Sequence, residues 1–177
     1  ISAFIKSMRG SDPDAAIFYL ARALHGGEDI EFLARRIIIC ASEDVGMANP
    51  SALNTAVSAY NAIMSIGMPE ARIILAHAAI AVATSPKSNA CYLAIESALK
   101  DVQEKRTGEI PMHLRNAPVK EMKDIGYSKG YKYVHDFPGN YIDENYLPEE
   151  LKGTKYYNPY SNGYEEKIKQ WLDKNRK

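Results

Sequence analysis

The residue types best suited to chemistry in this chain lie between Tyr127 and Gly139, in the stretch YSKGYKYVHDFPG. This stretch places two lysines among five aromatic or imidazole rings. Lysines neutralise phosphates and aromatic rings stack on unpaired bases, so the pattern is typical of contact with nucleic acid. With the neighbouring basic residues, the candidate set comprises Arg115, Lys120, Lys123, Lys129, Tyr131 and Lys132.

A packing role accounts for the same stretch. A tyrosine-rich loop can cover a helical core by burying its rings while each hydroxyl stays hydrated. Lysines exposed on the same side as Arg115 would favour nucleic acid. Buried rings with tight turns at Gly126 and Gly130 would instead favour a loop that packs across the helices. The sequence leaves both interpretations open.

Charge is distributed unevenly along the chain, although the total is zero, with 22 basic and 22 acidic residues. Residues 105–135 hold seven Lys/Arg against three Asp/Glu, and residues 136–153 hold one Lys against five Asp/Glu. The whole molecule therefore offers no basic footprint for DNA or for an anionic membrane. The two blocks can also neutralise each other in space.

The motifs of phosphate-binding loops and zinc sites do not occur in this sequence. It contains no Gly-Lys pair, no G-x-G-x-x-G and no H-E-x-x-H, and its four histidines stand singly. An independent enzyme would need His113, His135 and Asp136 to converge in a pocket. We therefore predict no catalytic residue, no cofactor and no metal site in this chain.

Two further polar groups have a structural and a functional interpretation. Ser85–Asn89 combines hydroxyls, a lysine and free amides at a predicted helix start, which makes it either an anion site or a capping turn. Glu43 and Asp44 place two carboxylates at a helix end, where the helix dipole disfavours them. This mismatch predicts a salt bridge to Arg35, to Arg36 or to a residue from another element.

Helix start and stop signals recur through the first hundred residues. In SDPDAAIFYLARALHGG, Asp12 or Ser11 can cap the helix, Pro13 occupies its first position and two glycines end it. Five such segments, joined by short loops, predict an all-α helical bundle. After Arg106 the chain becomes a tyrosine-rich irregular segment. A C-terminal amphipathic helix follows, with a predicted inward face of Tyr164, Ile168, Trp171 and Leu172.

The predicted helix from Ala71 to Ala83 is apolar nearly all round, with Arg72 and His77 as its polar side chains. We interpret His77 as a core histidine. A helix of this kind is buried on every side, either at the centre of the domain or at a contact between subunits. The residues assigned to such a contact are Ile73, Ile74, Ala78 and Val82.

Membrane and secretion signals are missing from the sequence. No apolar run reaches the ~18 residues that span a bilayer, and no signal peptide opens the chain. Cys40 and Cys91 lie in apolar patterns and are interpreted as buried reduced thiols, which predicts a cytoplasmic protein. Because the chain starts with Ile1 in what looks like the inside of a helix, we expect a fragment of a longer protein.

Several long stretches resemble one family: ISAFIKSMRGSDPDAAIFYLARAL, GGEDIEFLARRIIICASEDVGMANP, GMPEARI, SPKSNACYLAI, HLRNAP and GYSKGYKYVHDFPG. It is the family of replication-associated recombination protein A, also called MgsA, with the Werner helicase-interacting protein as its eukaryotic relative. The resemblance implies a fold similar to the collar domain of clamp-loader subunits. It also implies that residues 1–26 end the AAA+ lid region and that residues 27–177 form a C-terminal oligomerisation domain.

In that family the intact protein is a DNA-dependent AAA+ ATPase of replication, recombination and repair, and it acts at stalled replication forks. The resemblance therefore implies that this chain forms a homotetramer. ATP, Mg²⁺, DNA and single-stranded-DNA-binding protein would be ligands and partners of the parent protein, in the cytoplasm or at a bacterial nucleoid. The alternative is a module that binds DNA or a replication protein through residues 113–135.

Overall fold

The computed structural model describes residues 1–176, apart from the Lys123 side chain. Its α-helices are α1 Ser2–Arg9, α2 Pro13–His25, α3 Ile30–Cys40, α4 Ser51–Ile66, α5 Ala71–Ala83, α6 Ala90–Glu104, α7 Lys120–Asp124 and α8 Glu165–Asn175. A π-helical turn, Ala41–Val45, continues α3. The described residues contain no strand, which confirms the predicted all-α class.

Two compact units divide the chain. The helical unit comprises Ile1–Ala94 together with Tyr157–Lys169, and the tyrosine-rich unit comprises Ile95–Tyr156 together with Gln170–Lys177. Within the helical unit, α1 and α2 pack against each other, and helices α1 to α4 all pack against α5. The domain boundary expected between residues 26 and 27 stays a prediction.

Local signals start the first helices of the helical unit as predicted. The Asp12 carboxylate accepts the Ala15 N–H at 2.9 Å, and Pro13 follows at the first helical position. Asp29 accepts the N–H groups of Glu31 and Phe32 at 3.1 Å each. Such a cap contributes about 1 kcal/mol. The helices so started bury their apolar stripes around the small residues of α5, which form the centre of the core.

Lys87 determines how α5 ends. Its ammonium group donates to the Ser11 hydroxyl at 2.9 Å and to three carbonyl oxygens, those of Val82, Ala83 and Ser85, at 3.1, 2.9 and 2.6 Å. The last carbonyls of a helix lack partners within the helix, and a cation there is favoured by the dipole. Desolvation lowers the pKa of Lys87. The segment Ser85–Asn89 is therefore a capping turn, and its interpretation as an anion site is wrong because the protein's own carbonyls bind the lysine.

A strap of residues 157–165 closes the helical unit ahead of α8. Three hydrogen bonds fix it: Tyr160 Oη to Asn89 Oδ1 at 3.1 Å, Asn162 Nδ2 to the Lys87 carbonyl at 2.8 Å, and the Tyr164 N–H to the Ala48 carbonyl at 2.8 Å. At Gly163 the φ angle is +55°, and a β-carbon would lie 2.3 Å from the Ala48 oxygen. Only glycine fits this close approach.

The buried face of α8 differs from the predicted one. Of the predicted face, Ile168 and Leu172 are half-buried while Tyr164 and Trp171 are exposed, and the fully buried residue of the helix is Glu165. The predicted face assumed that apolar side chains decide which side of the helix turns inward. Hydrogen bonds from the strap determine the inward side of α8 instead, because they satisfy the buried carboxylate of Glu165.

Candidate functional site

The proposed nucleic-acid residues lie in the tyrosine-rich unit. Lys120, Lys129 and Tyr131 are exposed, and no described residue forms an ion pair with either of these lysines. Lys132 is exposed too, with its ammonium group 3.8 Å from the Glu144 carboxylate. The side chain of Lys123 lies outside the described part of the structure.

Arg115 has a structural role. Its guanidinium donates to Glu109 Oε2 at 2.6 Å and to the Ile110 carbonyl at 2.7 Å, and it lies 5.3 Å from the centre of the Tyr127 ring. The hydrogen bond to Glu109 raises the pKa of Arg115 and lowers the pKa of Glu109. The pair fixes the loop before α7, and its net charge is zero. Phosphate binding by Arg115 would require this pair to open.

The stretch from Tyr127 to Gly139 combines features of both interpretations. Gly126 and Gly130 have φ angles of +100° and +85°, so both make the tight turns expected if this segment packs across the helices. The rings of Tyr131 and Tyr133 are nevertheless exposed. The Tyr133 ring contacts the His135 ring, whereas the Tyr127 ring is half-buried beneath Arg115.

The arrangement required for an enzyme does not form among the described residues. His113 contacts the Tyr146 ring and His135 contacts the Tyr133 ring, at centroid distances of 6.3 and 5.0 Å. An open groove of about 660 Å³ next to His113 is lined by several glutamates, two of which pair with Arg115 and Lys132. No group of three or more His, Cys, Asp or Glu residues in the described part of the chain could hold a metal ion.

The proposed subunit contact on α5 divides between core and surface. Ala78 and Val82 lie inside the core of the helical unit, and Ile74 is half-buried. Ile73 and Ile80 are 60% and 43% exposed. Assigning Ala78 and Val82 to a subunit contact is therefore wrong, because the chain itself covers them. One side of α5 is exposed in the single chain, so its predicted burial on every side stays a prediction that depends on a subunit contact.

The exposed face of α5 continues onto α4. His77 lies between the two exposed isoleucines and is itself exposed, so its interpretation as a core histidine is wrong. A shallow groove of about 480 Å³ runs between the helices beside it, and Ala59, Ala62 and Ile74 form part of its lining. Small residues along a groove permit another helix to approach closely. We call the surface of Ile73, Ile74, His77 and Ile80 the α5 face.

Sequence reasoning missed that the carboxylates of Asp44, Asp101 and Glu165 are buried. Asp44 accepts the Arg9 Nε–H at 2.6 Å, so of the predicted partners the structure excludes Arg35 and Arg36 and confirms a residue from another element. The π-helical turn after α3 adds a residue and directs Asp44 inward. Burial and the hydrogen bond to Asp44 raise the pKa of Cys40 to about 12, so its thiol is unreactive at neutral pH.

Comparison with known proteins assigns the sequence to one group. The sequence model of a family described as MgsA AAA+ ATPase C terminal matches residues 10–176. The chain is 43% identical to replication-associated recombination protein A of Bacillus subtilis over 175 residues, which cover 98% of this chain and 41% of that protein. It is 49% identical to an uncharacterised AAA domain-containing protein of Mycobacterium tuberculosis, across 99% of this chain and 39% of that protein.

A eukaryotic protein is similar as well. The ATPase WRNIP1 of Dictyostelium discoideum is 39% identical over 158 residues, which cover 89% of this chain and 18% of that protein. The chain thus spans about two fifths of the bacterial relatives' length and less of the eukaryotic one. None of the described helices combines the length and the apolar character needed to cross a membrane.

Proposed function

Since this chain belongs to the MgsA AAA+ ATPase C-terminal family, we propose that it joins copies of a DNA-dependent ATPase into a homotetramer. The parent protein acts at stalled replication forks in replication, recombination and repair, in the cytoplasm or at a bacterial nucleoid. ATP and Mg²⁺ are bound outside this chain, and single-stranded-DNA-binding protein is a partner of the parent. Residues 1–26 end the lid region, and residues 27–177 are the oligomerisation domain.

The observation that supports this proposal is the α5 face. Ile73 and Ile80 stand seven residues apart on one side of a helix that belongs to the core, and both are exposed. Large apolar residues on the side of a core helix that faces solvent are typical of a surface that a partner covers. The same face on each copy makes a self-complementary contact about a two-fold axis.

We expect the 177-residue chain to be tetrameric at micromolar concentration and the Ile73→Glu/Ile80→Glu variant to have at most half that mass. The reason is that docking would bury glutamates without cationic partners. Multi-angle light scattering measures the mass. Phe18→Glu is the matched control, because Phe18 is exposed to a similar degree on α2. A monomeric native chain would exclude the oligomerisation role. A tetrameric double variant would exclude only the α5 face.

The second candidate function is contact with single-stranded DNA through the tyrosine-rich unit. The exposed rings of Tyr131 and Tyr133 and the exposed Lys129 support it. Rings on which bases stack and cations that follow the backbone are the two elements of sequence-independent recognition. The candidate residues reduce to Lys120, Lys129, Tyr131 and Lys132, with Lys123 added from the sequence alone.

Replacing Lys129 and Lys132 with glutamate is expected to weaken binding of an oligodeoxythymidine at least tenfold. For every phosphate that the variant no longer neutralises, the plot of log affinity against log salt concentration should flatten by about 0.7. Fluorescence anisotropy across a salt series measures both quantities. Lys6→Glu/Lys167→Glu makes the same change in net charge on the helical unit. If both double variants lose affinity equally, net charge and not this segment determines binding.

A further inference from the structure

Helix α6 carries an apolar seam that is exposed in the described part of the chain. Tyr92, Ile95, Leu99 and Val102 are 44%, 54%, 46% and 66% exposed. They stand three, four and three residues apart. This is the heptad spacing of the a and d positions along the contact line of a coiled coil. In this spacing Tyr92 and Leu99 occupy the a positions of the heptad, and Ile95 and Val102 occupy the d positions.

The side of α6 that the chain does cover carries small residues and the buried carboxylate of Asp101, and no large apolar side chain. Ala90 is buried, and Cys91, Ala94 and Ala98 are half-buried. A helix at the surface of a monomer normally turns its large apolar residues to the core and its polar ones to water. In α6 the large apolar residues face solvent. Since exposed apolar stripes of this extent mark contact sites, the seam requires a covering partner.

We infer that the α6 seam packs antiparallel against the α6 seam of a second copy of this chain. The inference rests on the proposed homotetramer, because a tetramer with dihedral symmetry needs two different two-fold contacts and the α5 face supplies one. The spacing of the seam is the same in both chain directions. Antiparallel packing therefore places Tyr92 opposite Val102 of the partner copy and Ile95 opposite its Leu99.

The order of residue types in the seam favours the antiparallel arrangement. Parallel two-stranded coiled coils prefer β-branched residues at a and leucine at d. Here Ile95 and Val102 are the β-branched residues, and both are at d, which disfavours two parallel strands. In the antiparallel arrangement, each residue at position a faces a residue at position d of the other copy. Ile95 therefore packs on the partner copy's leucine, and Val102 packs on its tyrosine.

The area of the seam fits one of two cooperating contacts. Four side chains of roughly 200 Å², each about half exposed, supply roughly 400 Å² per copy and roughly 800 Å² per pair, below the ~1,200 Å² of a stable interface. Residues at the rim add to this total. The seam alone is thus a weak dimer contact that becomes stable when the α5 face closes the tetramer.

Light scattering of the Leu99→Glu variant tests the inference. We expect the apparent mass to fall by half, to the dimer held by the α5 face, while Phe18→Glu keeps the native mass. A Leu99→Glu chain of native mass would overturn the inference and leave the proposed tetramer intact. A monomeric native chain would instead overturn the proposed function and with it this inference.

Cross-linking decides the orientation and does not depend on how Leu99→Glu folds. Single Ile95→Cys and Leu99→Cys variants are made in a Cys91→Ser background, with Cys40 left buried. They are oxidised to disulfides, separately and after mixing, because a disulfide needs β-carbons within about 4.5 Å and so reports residues that face each other directly. Cross-links that require the mixture support antiparallel packing. Cross-links that form equally within each separate variant, or no cross-links, overturn it.

Discussion

We expect Glu165→Ala to destabilise the helical unit by about 2–5 kcal/mol, because it removes a buried acceptor and leaves the donors that bond to it unsatisfied, at about 1–3 kcal/mol each. Glu165 is 0% exposed. One carboxylate oxygen accepts the Tyr157 hydroxyl at 2.9 Å, and the other accepts the Tyr160 N–H at 3.0 Å. Burial and the hydrogen bond to Glu165 raise the pKa of Tyr157 well above its usual value. Alanine would deprive both donors of this acceptor inside the fold.

Urea unfolding followed by far-ultraviolet circular dichroism measures this loss. Glu166→Ala is the matched control, since Glu166 is the next residue in the same first turn of α8 and is exposed. Both variants remove an acidic residue near the helix N-terminus, which is worth about 0.3–1 kcal/mol. The difference between them isolates the buried contacts. Equal losses for the two variants would mean that the hydrogen bonds of Glu165 contribute nothing measurable to stability.

A milder change at the same position separates shape from charge. Glu165→Gln keeps one carbonyl oxygen for the Tyr160 N–H, and its amide can donate to the Tyr157 oxygen. We expect a loss of about 1–2 kcal/mol, because a neutral acceptor replaces a charged one. The order Ala, Gln, native in increasing stability follows from the hydrogen-bond geometry alone.

The burial of Glu165 shows where the sequence stops predicting this fold. Caps such as Asp12 and Asp29 involve residues two or three positions apart, so they can be identified from the sequence alone. The buried state of Glu165 depends on the strap, which is fixed to Ala48, Lys87 and Asn89. No local pattern encodes contacts over such separations.

Prediction of the candidate sites from the sequence is limited in the same way. An apolar helix such as α5 reveals that it is buried, but not which side the chain itself covers, so Ala78 and Ile73 look alike in sequence. Arg115 has the residue type of a phosphate ligand, yet Glu109 six positions earlier pairs with it. Residue type alone predicts what a side chain can bind. Which partner it binds depends on the folded geometry.

The other large effect is expected at the ion pair between α1 and the π-helical turn. Arg9 donates to Asp44 Oδ1 at 2.6 Å and to Glu43 Oε1 at 3.2 Å, and Asp44 is buried while Arg9 is about half exposed. The hydrogen bond to Asp44 raises the pKa of Arg9. Arg9→Met would leave the Asp44 carboxylate buried without its cation, although the Cys40 thiol still donates to it at 3.3 Å. We expect a loss of about 2–3 kcal/mol in the free energy of unfolding.

A double-mutant cycle assigns this loss to the unpaired charge. Asp44→Asn added to Arg9→Met should recover about 1 kcal/mol or more, because a neutral amide costs less to bury than a carboxylate. Glu43→Gln is the control within the same turn and should cost less than about 1 kcal/mol, since that pair is exposed on both sides. Because α1 lies in the segment that we propose as the end of the lid region, the cycle also measures how strongly that segment is held to the rest of the helical unit. Additive losses in the cycle would show that Arg9 stabilises the chain through the packing of its stem and not through Asp44.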